Sequence, residues 1–518
     1  MSDASKAMTA RAAYTTGGTA AGQYMATQIS PEGKTVSYTW DAAKGQLQKV
    51  TDPSGKATAY TYDSTGKVTK VTGKAEVSGT ETDVAVQYTY GSDRLTKITH
   101  NGFEYGFTYN GFGGRTGVSI AGTTVISQTW AANNGLLTKA VYGNGWEISY
   151  SYDSLDRVTA VTVKKDGSTY PICSYVYDKQ GQLARLVDGQ NTGRSCTCGY
   201  DLTGRLCEAV FDDGTAYRYT YDANDCLTKE TITTADGTRT VNRTYDADSR
   251  EKAFTCGTAK VEKTYDKLGR LQTVKRHNGS HTTTYTYETA ADGGQTGRVW
   301  KVTNGSDTFE YGYDDNGNVI NVKKNGQAQM YYNYDAQGQL VSEEYAGQNK
   351  SIMYFYDAGG NLREERTYSG GMASDMTGVP YTARTFAYSS TWKDQLASVT
   401  ADGVTKSFTY DAIGNLLSDG TRSYTWKNGR QLETITASGL TASYTYDASG
   451  IRTSKTVNGV KTEYLTAGSS ILSEKKGSTW QQLLAQITRS GIRDELPNPS
   501  VCQCSLHSHS CRRKHIGI

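Results

Sequence analysis

One short phrase recurs along this chain and restricts what it can fold into. The phrase is an aromatic residue, Asp, two variable residues, Gly, a polar residue and Leu or Val, and residues 265–271 read Tyr-Asp-Lys-Leu-Gly-Arg-Leu. Further copies begin at Tyr62, Tyr200 and Tyr410. Most copies follow one another at about 20 to 26 residues, the spacing of stacked structural repeats. The period therefore favours a repeat array over the single core of an ordinary enzyme.

The positions that recur are the aromatic ring, the Asp beside it and the Gly that closes the phrase. The residues assigned to this structural repeat motif are Tyr62, Asp63, Gly66, Tyr152, Asp153, Tyr200, Asp201, Gly204, Tyr221, Asp222, Tyr265, Asp266, Gly269, Tyr313, Asp314, Gly317, Tyr334, Asp335, Gly338, Tyr356, Asp357, Tyr410, Asp411, Gly414, Tyr446, Asp447 and Gly450. Two longer gaps, residues 72–86 and 367–384, predict longer loops or hairpins grafted onto the array.

Each copy predicts a β-hairpin. The arm before the turn alternates, so that Tyr217, Tyr219 and Tyr221 share one face of a strand. Asp suits the first position of a type I turn and Gly suits the fourth, where φ is often positive. The return arm carries Leu-x-x-Val, a spacing that would put the pair on opposite faces of a regular strand. Either a bulge follows the turn, or Leu packs before the strand begins.

A second kind of turn joins the hairpins. Asn-Gly or Asp-Gly pairs lie between copies, for example at residues 101–102, 213–214 and 458–459, and they are strong hairpin signals. Turns at both ends of every strand predict an antiparallel meander, and only residues 478–488 could form a short helix. Open twisted sheets rarely exceed about 10 strands, so a ribbon this long must coil, close or split. Mean hydropathy of −0.61 and 39 tyrosines favour a wet hollow over one dry core.

Composition excludes several classes of function. A net charge of +3 without a basic stripe gives no sign of nucleic-acid binding, and the sequence has neither a signal-like N-terminus nor a membrane-spanning apolar run. The nine cysteines are irregularly spaced and predict mostly free thiols. No cofactor motif is found.

The repeated phrase resembles the YD or RHS repeat of bacterial Rhs polymorphic toxins, insecticidal toxin-complex shell subunits, wall-associated proteins and animal teneurins. The resemblance covers about residues 30–470 and implies an all-β fold, a long antiparallel hairpin meander that coils into a hollow spiral β-shell or an arc of one. It also implies a shell that encloses a C-terminal toxic domain in the toxin members, and a secreted or cell-surface location. The Pro-x-Gly-rich core segment of full-length shells has no match here, so we expect a fragment or a degenerate relative without self-cleavage.

No set of residues predicts catalysis. The recurring Asp is interpreted as a turn cap, because Gly91, Asn110 and Ser389 replace it in single copies. The tail residues Cys502, Cys504, His507, His509 and Cys511 are of types that bind zinc, but their spacing differs from that of known zinc sites. They remain only a weak metal-site hypothesis.

The sequence therefore divides into a poorly defined start of the array at 1–30, the repeat shell at 31–470, a fading repeat or short helix at 471–491, and a disordered Cys/His-containing tail at 492–518. The leading hypothesis is a non-enzymatic shell that encapsulates or presents a polypeptide, with a C-terminal or separately encoded toxin as its partner. The alternative is a surface adhesin that binds glycans through tyrosine ladders.

Overall fold

The computed structural model describes residues 8–15, 22–276, 279–291, 293–373, 375–467, 470–477 and 479–482. These residues form 44 β-strands and one short 3-10 helix, Thr192–Arg194, and include no α-helix. The strands fall into a 35-stranded sheet followed by a 9-stranded sheet. The predicted all-β fold is confirmed.

The strands of the first sheet are β1 Arg11–Tyr14, β2 Met25–Ile29, β3 Thr35–Asp41, β4 Gln46–Thr51, β5 Ala57–Tyr62, β6 Val68–Val77, β7 Thr80–Gly91, β8 Arg94–His100, β9 Phe103–Tyr109, β10 Arg115–Ile120, β11 Thr123–Trp130, β12 Leu137–Tyr142, β13 Glu147–Tyr152, β14 Val158–Lys165, β15 Ser168–Tyr177, β16 Leu183–Asp188, β17 Cys196–Tyr200, β18 Leu206–Phe211, β19 Ala216–Tyr221, β20 Leu227–Thr234, β21 Gly237–Tyr245, β22 Glu251–Cys256, β23 Ala259–Tyr265, β24 Leu271–Arg276, β25 His281–Thr289, β26 Gln295–Asn304, β27 Asp307–Tyr313, β28 Val319–Lys324, β29 Gln327–Tyr334, β30 Leu340–Tyr345, β31 Lys350–Tyr356, β32 Leu362–Ser369, β33 Tyr381–Tyr388, β34 Leu396–Ala401 and β35 Val404–Ser407. The strands of the second sheet are β36 Thr409–Tyr410, β37 Leu416–Ser418, β38 Ser423–Lys427, β39 Gln431–Ala437, β40 Leu440–Tyr446, β41 Arg452–Val457, β42 Val460–Ala467, β43 Ser470–Lys476 and β44 Thr479–Gln482.

A β-bulge follows the Asp-x-x-Gly turn. In the β23–β24 hairpin Tyr265 lies opposite Leu271 and Thr264 lies opposite Thr273, so one residue of the return strand has no partner. The same register shift occurs in the β5–β6 hairpin between Thr61 and Tyr62. The extra residue places Leu271 and Val274 on one face of the sheet. Of the two explanations for Leu-x-x-Val, the bulge is therefore correct.

The meander forms a ribbon with two different edges. One edge carries the Asp-x-x-Gly turns and is called the motif edge. The other edge carries the turns between repeats, such as Asn101-Gly102, and is called the connecting edge. Most turns along each edge are of one type, but the connecting edge also contains the Asp52–Gly55 turn, in which Asp52 Oδ1 accepts the Lys56 N–H at 2.8 Å.

The ribbon winds back onto itself. Strand β31 lies parallel to β6 through the pair Tyr356 and Val77, and the Ser78 N–H donates to the Tyr356 carbonyl at 2.9 Å. Side chains bond between positions that are 239 to 294 residues apart. One coil of the spiral therefore takes about 240 to 290 residues, and the contact between successive coils is called the seam.

Buried apolar side chains form four separate clusters along the ribbon instead of one core. The cluster at the seam includes Ile98, Phe103, Val118 and, from the next coil, Ile413. A second cluster lies on β21 to β26 around Val241 and Phe254. The molecule is a hollow spiral shell of antiparallel hairpins, as the repeat pattern predicted.

The two ends of the array differ from the predicted boundaries. Residues 1–30 were expected to be a poorly defined start, yet β1 and β2 pair with each other and β2 pairs with β3. The short helix considered for residues 478–488 is wrong for residues 479–482, which form β44 beside β43, because the open edge of β43 offers backbone partners to an extended chain. Residues 483–518, and with them the tail cysteines and histidines, lie outside the described residues.

The two long gaps in the repeat spacing are extensions of single hairpins. Residues 72–86 belong to the long β6–β7 hairpin, whose strands pair from Lys70 opposite Gln87 to Val77 opposite Thr80. Residues 367–369 end β32 and residues 381–384 begin β33, and the described residues between them belong to no strand.

Candidate functional site

The motif aspartate closes the turn that follows it. The Oδ1 atom of Asp266 accepts the backbone N–H groups of Leu268 at 2.9 Å and Arg270 at 3.0 Å. The Gly269 N–H donates to the Asp266 carbonyl at 3.0 Å, and φ at Gly269 is 81°. The same two side-chain bonds occur at Asp63, Asp153, Asp178, Asp201, Asp222, Asp246, Asp335, Asp357, Asp411 and Asp447. At Asp314, Oδ1 accepts the Asn318 N–H at 2.8 Å.

The glycine of the motif adopts a left-handed backbone. The φ angles are positive at Gly66, Gly204, Gly317, Gly338, Gly414 and Gly450. Asp156, Asp225 and Ser249 hold the same turn position with φ near 61–62°, which short polar residues tolerate better than branched ones. The Gly position is therefore a backbone requirement of the turn.

The turn bonds lower the pKa of several motif carboxylates. The N–H of Arg205 and the hydroxyl of Thr203 hold the pKa of Asp201 far below its usual range. At Asp63 the N–H of Lys67 is the main cause of a lowered pKa. A carboxylate with a lowered pKa is a poor proton donor at neutral pH. The geometry therefore gives these aspartates a structural role.

In several repeats of the first coil an arginine contacts the next repeat. Arg270 donates from Nε to Oδ2 of Asp266 at 2.7 Å, and its guanidinium lies 4.2 Å from the ring centroid of Tyr287. Arg157, Arg205 and Arg250 make the same pair of contacts with their own aspartates and with Tyr177, Tyr221 and Tyr265. The polar residue after Gly therefore carries a cation–π contact to the following copy.

The motif aromatic residues bond backward to the preceding copy. Tyr287 Oη donates to the carbonyl of Leu271 at 2.7 Å, and Trp130 Nε1 donates to the carbonyl of Arg115 at 2.8 Å. The same bond to the preceding repeat is made by Trp40, Tyr62, Tyr90, Tyr109, Tyr152, Tyr177, Tyr200, Tyr221, Tyr245, Tyr265, Tyr313, Tyr334, Tyr356, Tyr388, Trp426 and Tyr446. For Tyr410, burial raises the pKa to about 12. Each of these side chains thus donates to the backbone carbonyl of the residue at the Leu position of the preceding copy.

The seam joins the motif edge of the second coil to the connecting edge of the first. Asn101 Nδ2 lies 3.3 Å from Oδ2 of Asp357, and Asn144 Nδ2 lies 2.8 Å from Oδ2 of Asp411. The Glu76 N–H donates to Oδ2 of Asp335 at 3.1 Å. In each case the aspartate caps its own turn with Oδ1 and accepts a bond from the other coil with Oδ2. Sequence analysis missed this second role.

A signal for the seam is present in the residue that follows the motif Gly. In the first coil this residue is often Arg, as at Arg157 and Arg270, and it approaches the neighbouring repeat. In the second coil it is Asn at Asn361 and Asn415, which bond to the nearby aspartate, and it is Gln at Gln339. An amide side chain therefore replaces Arg at these three repeats, which meet another coil.

A half-buried polar network also crosses the seam. His100 Nε2 and Tyr105 Oη lie 3.0 and 2.9 Å from Oδ2 of Asp394, which belongs to the next coil. Asn361 Nδ2 lies 3.3 Å from Oδ1 of the same carboxylate. Burial opposes ionisation of Asp394, but the bond from His100 and the other donors lower its pKa overall. Asp394 therefore accepts hydrogen bonds from both coils.

The comparisons with known proteins agree with this geometry. The RHS Repeat family model matches residues 43–77 and 133–169. The solved structure of TcdB2-TccC3-TEV is similar with a TM-score of 0.71 at 15% sequence identity, over 90% of this chain and 27% of that chain. The Photorhabdus luminescens Tc holotoxin pore is similar with a TM-score of 0.67 at 15% identity, over 87% and 27%. Two segments of this chain therefore match the RHS, or YD, repeat, and its fold is similar to that of these solved structures.

A curated protein similar to part of this chain is the tRNA nuclease WapA of Bacillus subtilis (strain 168). The two are 29% identical over 144 residues, which is 25% of this chain and 6% of WapA. This chain thus spans about a quarter of the length of the similar solved structures and a much smaller part of WapA.

The other candidate features are metal sites, membrane-spanning helices and cysteines. Within the described residues, no group of three or more His, Cys, Asp or Glu side chains could hold a metal ion, and no helix is long and apolar enough to cross a membrane. Cys173, Cys196, Cys198, Cys207 and Cys226 are free thiols. The metal hypothesis for Cys502, Cys504, His507, His509 and Cys511 concerns residues outside the described part of the chain.

Proposed function

We propose that this chain is a non-enzymatic RHS shell, or a section of one, that encloses or presents a polypeptide. The observation that carries the proposal is the seam, where the ribbon meets its own previous coil through Asp357, Asp394, Asp411 and Ile413. A ribbon that is joined to itself after each coil bounds a volume, whereas an open sheet does not. Such a volume separates a polypeptide from proteases and from other proteins.

The partner that we propose is a toxin polypeptide, either C-terminal or separately encoded. The similar structures include TcdB2-TccC3-Cdc42 and TcdB2-TccC3 without its hypervariable C-terminal region. Those structures support a shell that works together with a C-terminal region. A secreted or cell-surface location follows from the same relatives and is proposed with it.

The absence of enzymatic activity is proposed from the state of the carboxylates. Turn N–H groups bind the motif aspartates and lower the pKa of several of them, as at Asp63 and Asp201. The WapA match covers 6% of that nuclease and does not support transfer of its activity. Incubation of the purified chain with tRNA should leave the tRNA intact, and cleavage that a single substitution abolishes would contradict the proposal.

Enclosure can be tested by protection from proteolysis. A reporter polypeptide with one protease site is fused after Ile518 of the full chain, and its cleavage rate is measured. The matched control is the same fusion with Ile413→Asp, which places a charge in the seam cluster. We expect cleavage to be at least about tenfold slower in the unaltered fusion, because an enclosed site must wait for opening. Equal rates in both fusions and in the free reporter would contradict enclosure.

The glycan-binding alternative is not favoured by the tyrosine geometry. The motif hydroxyls, for example those of Tyr152 and Tyr287, already donate to backbone carbonyls of the preceding repeat. A glycan array is the direct test of that alternative. Saturable binding that is lost when exposed tyrosines such as Tyr331 are replaced would support the adhesin function.

A further inference from the structure

Two cysteines share one face of strand β17. Cys196 and Cys198 are two residues apart in this strand, so their side chains point to the same side of the sheet. Their partners in β18 are Phe211 and Ala209, and the same face of β17 carries the motif ring of Tyr200. Cys196 is buried and Cys198 is half-buried. The two thiols are therefore adjacent, and solvent reaches the pair at Cys198.

The thiol of Cys198 occupies a position that other repeats fill with a ring. The residue two places before the motif aromatic is Tyr150 in β13, Tyr175 in β15 and Tyr219 in β19. Cysteine is much smaller than tyrosine, so this repeat has sulfur atoms where its neighbours have an aromatic side chain. A single buried cysteine commonly serves as a small apolar residue, but two thiols side by side in place of a ring also form a pair of soft ligands.

The two thiols are bonded to each other, and a cation lies beside them. Their hydrogen bond lowers the pKa of Cys198 to about 7 and raises the pKa of Cys196. The positive charge of Arg194 favours the thiolate of Cys196, and its guanidinium lies 4.4 Å from the ring centroid of Phe211, the residue opposite Cys196. The thiolate is the form of cysteine that binds metals, so these surroundings favour metal binding by the pair.

The spacing of the pair suits a metal ion better than a disulfide. Two residues of a strand advance about 6.6 Å, and side chains that point the same way keep about that separation at Cβ, whereas a disulfide needs about 3.5–4.5 Å. An ion held between two sulfur atoms spans a longer distance than an S–S bond. In the part of the chain that the structure describes, no third His, Cys, Asp or Glu completes a metal-binding group, so the four ligands of a structural zinc site are not present.

We propose that Cys196 and Cys198 together bind one monovalent copper ion, Cu(I), through two thiolates. Soft thiolate ligands select Cu(I), and this ion is stable with two sulfur ligands in a near-linear arrangement. Binding forms two Cu–S bonds and releases the two thiol protons to solvent. The copper enters already reduced, so no electron is transferred. The complex of one Cu(I) with two thiolates carries one negative charge, which Arg194 offsets. This site is independent of the proposed enclosure.

Competition with the Cu(I) chelator bicinchoninate, under anaerobic conditions, tests the site in the full chain. The tail thiols are removed from every protein, including the parent, by Cys502→Ser, Cys504→Ser and Cys511→Ser. We expect one tight Cu(I) per parent chain. Cys196→Ser and Cys198→Ser should each weaken this binding on the order of a hundredfold, because one of only two soft ligands is lost. Cys226→Ser, which removes a half-buried thiol between β19 and β20, is the matched control and should leave the affinity unchanged.

Two further measurements identify the ligands. X-ray absorption of the copper-loaded parent should show two sulfur neighbours and no nitrogen or oxygen neighbour. Bound Cu(I) should protect Cys198 from alkylation by iodoacetamide, while Cys226 stays reactive. Circular dichroism of each variant confirms that it is folded. A parent that binds Cu(I) no more tightly than the folded Cys196→Ser and Cys198→Ser variants, or a bound copper with nitrogen or oxygen neighbours, would overturn the proposal.

Discussion

Neighbouring strands within the ribbon and neighbouring coils across the seam are held together in different ways. Within the ribbon, each strand forms a backbone ladder with the next, and Tyr287 and Arg270 add side-chain bonds between adjacent repeats. Across the seam, the strands share one parallel pair, Tyr356 with Val77, and the other contacts come from side chains at the turns. The ribbon is therefore specified by a pattern that recurs, whereas the seam depends on a few individual residues.

This difference predicts where the molecule is sensitive to mutation. Loss of one hairpin contact leaves the same contact intact in all other copies, since stability in such arrays is approximately a sum over neighbours. A seam residue has no such duplicate, and its loss acts on two coils that are more than 200 residues apart in sequence. Four predictions test this contrast, from the largest expected effect to the smallest.

Ile413→Asp should have the largest effect. It places a carboxylate among Ile98, Phe103 and Val118, where no cation is available in the cluster, and an unpaired buried charge costs on the order of 4 kcal/mol or more. Urea unfolding measures the change in free energy, and hydrogen exchange should show protection lost on both coils. The matched control is Leu155→Asp at the same turn position on the free motif edge, which should change stability by less than about 0.5 kcal/mol. Equal costs at the two positions would show that the seam is not a distinct contact.

Gly269→Val should have an intermediate, local effect. The φ angle of 81° disfavours a β-branched residue, and an added Cβ would lie 2.5 Å from Nη1 of Arg250, so we expect a cost of about 1–3 kcal/mol. Gly269→Asn is the control and should cost less, because Asp225 and Ser249 already adopt this conformation. Hydrogen exchange should lose protection only around residues 245–290. Uniform loss across the array would instead indicate one cooperative body.

Removing one backward tyrosine bond should cost about 0.5–1.5 kcal/mol. Tyr152→Phe keeps the ring but deletes the hydroxyl that donates to the Leu137 carbonyl at 2.7 Å. Tyr331→Phe, on an exposed mid-strand ring, should leave the unfolding midpoint within error. The prediction fails if both variants change the midpoint equally.

The ribbon should lose stability in acid through its turn aspartates. The folded-state pKa of Asp201 is lowered, mainly by the Arg205 N–H, so its contribution is fully present above the unfolded value near 3.9 and is lost as pH falls through the lower folded pKa. Urea midpoints between about pH 5 and 2 should therefore decrease. Asp201→Asn should flatten this slope slightly, because one of the titrating sites is removed. A midpoint that rises as pH falls would contradict the sign.

Much of the ribbon could be predicted from the sequence because its signals are local. The Asp and Gly of each turn lie three residues apart, and the alternation before the turn fixes which face carries Tyr219 and Tyr221. The bulge was left open because Leu-x-x-Val fits two local geometries. The helix alternative was wrong at residues 479–482 because a neighbouring strand, which lies outside any local window, decides the conformation there.

The seam could not be predicted in the same way. Its partners, such as Asn101 and Asp357, are 256 residues apart, and which turns meet depends on the circumference of the coil. That circumference follows from twist and bend accumulated over more than twenty strands, and a small change in each strand would shift the pairing to another repeat. The sequence has Arg157 in a first-coil repeat and Asn361 and Asn415 at the equivalent positions of second-coil repeats. Only the structure shows that these Asn residues lie where two coils meet.

The central claim is that the ribbon meets its own previous coil at these turns, and cysteine cross-linking tests it most directly. Asn101→Cys and Asp357→Cys are combined in the full chain, treated with a short bismaleimide, and digested for mass spectrometry. The control pair joins Asn101→Cys to Asp266→Cys, a motif position of the first coil. The structure predicts a cross-linked peptide between positions 101 and 357 and none between 101 and 266. A 101–266 cross-link as abundant as the 101–357 cross-link, or no 101–357 cross-link in the folded protein, would contradict the spiral.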